Sequence, residues 1–175
     1  MICRKFITCR ISDGYICENM FSSKLFCIKK NCVRDTKIKC EENNRKYILE
    51  NTRKAEVSLY HMDGGIIKLD ASVPEGLGKC DYCFIIDDKI IMTELKGVAV
   101  LKAVSQISST LDIYKNELNS DYKVFARIVV TSSVPSIHAD PKYVQLARKV
   151  KQCNGNVKIW EREHSEKDLE LEIPQ

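Results

Sequence analysis

The first 40 residues carry their apolar positions in short bursts. Residues 5–11 and 24–29 read as strand-like pieces separated by polar breaks. The polar run Glu41-Glu42-Asn43-Asn44 then reads as a boundary and a helix start. The spacing predicts a helix over 45–54, with Tyr47, Ile48 and Leu49 as its apolar content. From 56 to 62 the period changes to two, with Val57, Leu59 and His61 on one face and Ser58, Tyr60 and Met62 on the other. That is a strand. Asp63-Gly64-Gly65 signals a turn, and 66–69 continues as a second ribbon. Residues 71–78, punctuated by Pro74, Gly76 and Gly78, form a loop.

The second half is more regular. Residues 81–86 form an apolar strand, Asp87-Asp88-Lys89 turns it, and 90–95 returns antiparallel until Gly97. Val100, Val104, Ile107, Leu111, Tyr114 and Leu118 recur at three- and four-residue spacing, which predicts a helix over 98–118. A β-branched strand follows at 124–131, an amphipathic helix at 141–152 and a last strand at 157–160. Helix, three strands, helix and strand make an α/β outline, and no internal repeat interrupts it.

Composition fits that outline. With 175 residues, 44% apolar and 30% charged, the chain has the balance of one globular domain. Its longest apolar runs, such as 25–28, 83–86 and 98–101, are far short of the ~20 residues that span a bilayer. No targeting segment is recognisable, so a soluble, cytoplasmic protein is expected. Charge is uneven. Residues 1–40 hold nine Lys/Arg against three acids, while 161–172 hold six acids against Arg162 and Lys167. The expected organisation is a basic N-terminal extension (1–42) able to follow phosphates, a core (43–161), and a solvated acidic tail (162–175). The nine cysteines (3, 9, 17, 27, 32, 40, 80, 83 and 153), without a secretory signal, read as reduced thiols that behave as small apolar side chains. Cys80 and Cys83 have a zinc-knuckle spacing, but on a strand that spacing aims the two sulfurs at opposite faces.

The chemistry concentrates between 81 and 96. If the two strands form a hairpin around Asp87-Asp88, Asp81 and Glu94 lie at the same end. Lys96, two residues past Glu94, leaves the same face. Paired carboxylates bind a hard divalent cation such as Mg²⁺ or Mn²⁺, and a neighbouring ammonium orients water or steadies charge on a phosphate. A surface ion pair is the plainer alternative, but the apolar flanks Ile90, Ile91, Met92 and Leu95 put these charges beside a core strand.

Lys79-Cys80-Asp81-Tyr82, Thr93-Glu94-Leu95-Lys96-Gly97 and Ala103-Val104-Ser105-Gln106-Ile107 together resemble a nuclease of the PD-(D/E)xK superfamily, in particular its small bacterial members. The resemblance covers about half the chain. It implies an αβββαβ restriction-endonuclease-like core: a mixed central sheet flanked by helices, here with a β-rich N-terminal extension. It also implies metal-dependent hydrolysis of phosphodiester bonds, in DNA rather than RNA, with a second copy or a partner subunit needed to cut both strands. Carried over by position, Asp81 and Glu94 would hold Mg²⁺ or Mn²⁺ with the Leu95 carbonyl, and Lys96 would activate water. Glu50 on the first helix would be a further ligand, with Glu56 as the second choice. Gln106 and Lys102, one helical turn apart, would touch the nucleic acid. Cys80 stands where the family usually has Pro, and Thr110 where some members have a Tyr four residues after the Gln. His61 reads as a half-buried strand residue and His138 as a surface one. Two rivals remain: an inactive nuclease-like subunit that binds nucleic acid or a partner, and a zinc- or thiol-organised module built on the N-terminal cysteines.

Overall fold

The computed structural model describes Ile7 and residues 28–67, 76–118, 121–131 and 136–171. The polar run at 41–44 is a hairpin tip. Asn43 and Asn44 both take positive φ (47° and 63°), as a two-residue type I′ loop requires. They join β2 (Lys37–Glu42) to β3 (Arg45–Glu50), with Glu42 paired to Arg45. The helix expected over 45–54 is therefore a strand up to Glu50. The residues show why: Arg45, Tyr47 and Leu49 are buried while Lys46, Ile48 and Glu50 are half-buried, a period of two. Two consecutive asparagines that tolerate the left-handed region decide the matter locally.

β4 (Val57–His61), β5 (Tyr82–Ile86) and β6 (Lys89–Lys96) pair antiparallel in turn. β1 (Ile28–Val33) adds to the free side of β4 with irregular register. Helix α1 (Val100–Ile113) crosses over to β7 (Lys123–Val130), and α2 (Pro141–Gln152) crosses over to β8 (Val157–Glu161). Both crossovers produce parallel pairs, so the sheet runs β1-β4-β5-β6-β7-β8 and is mixed. A second sheet, β2-β3-β9, is completed by β9 (Glu163–Lys167), parallel to β3.

The large sheet has two buried faces. On one, Met92, Ala126 and Ile128 pack with Val104 and Ile107 of α1 and Leu146 and Val150 of α2. On the other, Leu59, Phe84, Ile91, Phe125 and Val129 pack with Ile38, Tyr47 and Leu49 of the small sheet. Among the described residues the class is α/β with two mixed sheets and two helices. Helices were expected to flank the central sheet; they cover one of its faces, and the small sheet covers the other.

The acidic tail is not simply solvated. Glu166 of β9 is buried against Arg127 of β7 through two contacts of 2.6 and 3.0 Å, and Tyr47 and Lys158 bond the same carboxylate. Asp168, in the following 3-10 turn Asp168–Leu171, accepts from the backbone N–H groups of Thr52 and Arg53, the Thr52 hydroxyl and the Arg53 guanidinium. Net charge read along the sequence missed these pairings because, Lys158 apart, the partners are distant in the chain.

The ribbon expected at 66–69 is, as far as described, a turn. Ile66 and Ile67 fold back onto His61 and Met62, and one bridge joins Asp63 to Ile67. Residues 68 and 69 lie outside the described residues. So do the strand-like pieces expected at 5–11 and 24–29, save Ile7 and the first residues of β1, and Cys3, Cys9, Cys17 and Cys27. Cys40, Cys80 and Cys83 are free, buried thiols. α1 is shorter than its apolar periodicity suggested, because turns take over from Tyr114. Among the described residues, no helix is long and apolar enough to cross a membrane.

Candidate active site

Asp81 immediately precedes β5, and Glu94 lies near the end of β6. The register Tyr82↔Thr93 brings the two acids opposite one another. Because Met92 and Ile90 point to the helix layer, Glu94 falls on that same face. The backbone fixes both carboxylates. Asp81 Oδ2 accepts from the Leu95 N–H at 2.8 Å, and the Asp81 N–H donates to Glu94 Oε2 at 3.1 Å. Each acid thus spends one oxygen on the other's strand and keeps one in reserve. Glu94 Oε1 is buried without a hydrogen bond, and Lys96 Nζ stands 3.3 Å from it.

Burial and mutual repulsion show in the titration of the pair. Loss of solvent pushes the Glu94 carboxyl up to about 8, aided by the Asp81 charge and opposed by Lys96. Loss of solvent likewise raises Asp81 to about 6, against the Leu95 N–H bond. Both shifts disfavour the doubly charged form of the pair. Among the described residues, no group of three or more His, Cys, Asp or Glu side chains is arranged to hold a metal ion.

Helix α1 secures the approach to Asp81. Gln106 Nε2 donates to the Lys79 carbonyl at 2.8 Å, and Thr110 Oγ1 accepts from the Cys80 N–H at 2.9 Å. Gln106 is therefore a buried clamp on the strand that carries Asp81, and its Oε1 has no partner. Thr110, the departure from the family pattern, is the second half of that clamp. Lys102 is exposed on α1. Lys79 is buried, with its ammonium 3.3 Å from Asp63. Glu56 is paired with Arg34 on the surface.

The structure does not bring Glu50 to the cluster. It sits at the far end of β3 from the hairpin tip, where its carboxylate accepts from Ser165 at 2.7 Å and lies 3.7 Å from Lys37. The acid whose charge is felt at Asp81 from the small sheet is Glu42. Glu42 and Arg45, both at the hairpin tip, are the neighbours that sequence reasoning missed. Had the Asn43-Asn44 pair been read as a turn, both would have been placed at the strand ends.

No family model matches the chain, and neither the curated proteins nor the solved structures contain a match to it.

Proposed function

We propose that the chain is a divalent-metal-dependent nuclease acting on phosphodiester bonds, DNA before RNA, with Asp81, Glu94 and Lys96 as its working groups. The observation that carries this reading is the facing of Asp81 and Glu94 across one strand pair, with Glu94 Oε1 buried without a hydrogen bond and ion-paired with the Lys96 ammonium at 3.3 Å. A buried acid left this way costs stability unless something compensates it, and a hard cation is the compensation that suits carboxylate oxygens. Asp81, Glu94 and the Leu95 carbonyl are the groups that would hold Mg²⁺ or Mn²⁺. Two protein carboxylates suffice for Mg²⁺, which keeps several waters. When bound, the ion would supply Lewis-acid polarisation of the phosphate and a more acidic water.

The chain's own groups have separable tasks. Hydrogen bonds to backbone N–H groups fix the two carboxylates. Lys96 is partly exposed, so its ammonium reaches both Glu94 and an incoming phosphate or water. Gln106 and Thr110 hold the 79–80 backbone and so set where Asp81 stands. The βββαβ order from β4 to β7 supports the reading, because the resemblance implies that order.

The test uses the full chain on supercoiled plasmid, single-stranded DNA and RNA, with Mg²⁺, Mn²⁺ or EDTA. Cutting is expected in metal and not in EDTA. Asp81→Asn and Lys96→Ala should abolish it while remaining folded by circular dichroism, and Glu50→Ala should cut normally. Cutting that survives both Asp81→Asn and Lys96→Ala would refute the assignment. One observation favours a second reading, an inactive nuclease-like binding subunit: only two carboxylates converge among the described residues. Nucleic-acid binding without cleavage in any metal would select it.

A further inference from the structure

Arg45 opens β3 at the hairpin tip and is only 7% exposed. Its Nε donates to the Glu42 carbonyl at 3.2 Å. Neither terminal nitrogen makes a hydrogen bond or ion pair among the described residues, yet neither is sealed from solvent. Other cations near it are matched: Lys46 with Glu163 at 2.9 Å and Lys39 with Glu41 at 3.0 Å. A guanidinium with its stem buried and its fork open to solvent keeps its donors free for an oxyanion, and the planar fork matches carboxylate and phosphate geometry.

Its position gives the fork a use. Nη1 lies 3.6 Å from where a side chain on Gly97 would begin, and Gly97 directly follows Lys96. The Gly97 carbonyl accepts from Thr131 N, and Lys46 N donates to the Arg162 carbonyl, so the hairpin tip meets the ends of β6, β7 and β8 along one edge. That edge is the carboxyl end of the parallel strands, where α/β sheets usually place ligands. Arg45 reaches it from the small-sheet side, whereas Glu94 and Lys96 reach it from the helix side. Beside Arg45 opens a cavity of about 510 Å³, lined also by Glu41, Glu42, Asn43, Asn44, Lys46 and Glu163; of its three acids, Glu41 is paired with Lys39 and Glu163 with Lys46.

We propose that Arg45 and the Asn43-Asn44 tip form a phosphate subsite that grips the nucleic-acid backbone next to the phosphate held at Lys96. This inference rests on the nuclease reading for its ligand and extends it to a second contact. The planar fork suits two oxygens of one phosphate, and Asn43, whose amide donates to the Glu42 carboxylate at 3.4 Å, could exchange that long bond for a phosphate oxygen on the same rim. The missing side chain at Gly97 leaves the fork open toward the edge. The contact is sequence-independent, because a backbone phosphate carries no base identity.

The experiment measures binding alone. The full chain in EDTA is titrated against a fluorescein-labelled 20-base-pair duplex and the matching single strand, by anisotropy, from 25 to 200 mM NaCl. Arg45→Met keeps the buried stem and removes the charge, and Arg45→Lys restores the charge without the fork. For Arg45→Met we expect roughly tenfold weaker binding at low salt and a log K against log salt slope shallower by about one phosphate contact, with partial recovery in Arg45→Lys. Equal affinity and slope in wild type and Arg45→Met, with both folded by thermal melting, would overturn the subsite, as would no binding by the wild type. Inorganic phosphate at 10 mM should compete little with the duplex. Full competition by free phosphate would show a small-anion site and overturn the backbone assignment. Cleavage is read separately, so Arg45-dependent binding without cutting would refute the nuclease reading and leave the subsite standing.

Discussion

Replacing Glu94 with glutamine should stabilise the metal-free protein at high pH. In the folded chain the Glu94 carboxyl is raised from its ordinary 4.5 to about 8 by burial and by Asp81. A carboxyl whose folded value is raised contributes stability that is present in full below about pH 4.5 and is lost as pH climbs through about 8. The rise from 4.5 to about 8 corresponds to roughly 5 kcal/mol lost by pH 9. Glutamine copies the neutral acid and escapes that loss, but its amide N–H groups replace the unpartnered oxygen in a dry place, at about 2 kcal/mol. The net expectation is a gain of about 3 kcal/mol over wild type at pH 9, about 6–12 °C in Tm for a chain this size. At pH 4.5 glutamine should be the less stable of the two by about 2 kcal/mol. Melts in EDTA at pH 4.5, 6, 7.5 and 9 test this, because the difference between the two proteins isolates the one carboxyl from all others that titrate. Curves that stay parallel across the range, with no crossover, would show that Glu94 ionises freely and that the site is not strained by its own charge. Adding Mg²⁺ at pH 8 should raise the wild-type Tm and leave Glu94→Gln unmoved.

Two further substitutions probe the frame around the site. Glu166→Ala strands the fully buried Arg127 guanidinium between the sheets and should cost about 3–5 kcal/mol in urea unfolding, with Arg127→Met/Glu166→Met less harmful than Glu166→Ala alone. A loss below about 1 kcal/mol would mean that water reaches the pair. Gly155→Ala should destabilise by more than about 3 kcal/mol, since the added carbon would stand 1.6 Å from the Val124 carbonyl oxygen, backbone that cannot step aside. Wild-type melting of that variant would refute the close packing of the α2 exit on β7.

What could be read from the sequence follows from how local each signal is. The β5–β6 hairpin, α1, β7 and α2 announce themselves within windows of ten to fifteen residues. For α2 even the ends are written locally: Asp140 caps it, Pro141 opens it, and Asn154 with Gly155 closes it in a Schellman turn. The Asp81, Glu94 and Lys96 convergence needed only one hairpin register. The small sheet was hidden because β9 pairs with β3 across more than a hundred residues, and its charges look solvated until Arg127 and Thr52 are placed beside them. Residues 45–50 were misread for a smaller reason. Tyr47-Ile48-Leu49 is a short apolar run whose period is ambiguous, and the deciding information lay in Asn43-Asn44 before it.

That misreading changes the chemistry as well as the fold. A helix at 45–54 would have offered Glu50 as the acid from the first element. A hairpin instead turns Glu50 away toward Ser165 and delivers Glu42 and Arg45 to the strand ends. The candidate site then has one buried and one half-buried acid, one partly exposed lysine and, around the sheet edge, an arginine whose fork has no partner among the described residues. Positive charge outside and negative charge inside is the arrangement that a polyanion and a small cation would satisfy together. Neither partner alone would do so: a phosphate without the cation meets the Asp81 carboxylate as repulsion, and a cation without the phosphate leaves the Arg45 fork empty. Binding of metal and of nucleic acid should therefore reinforce one another, each lowering the cost of the other's unmatched charge.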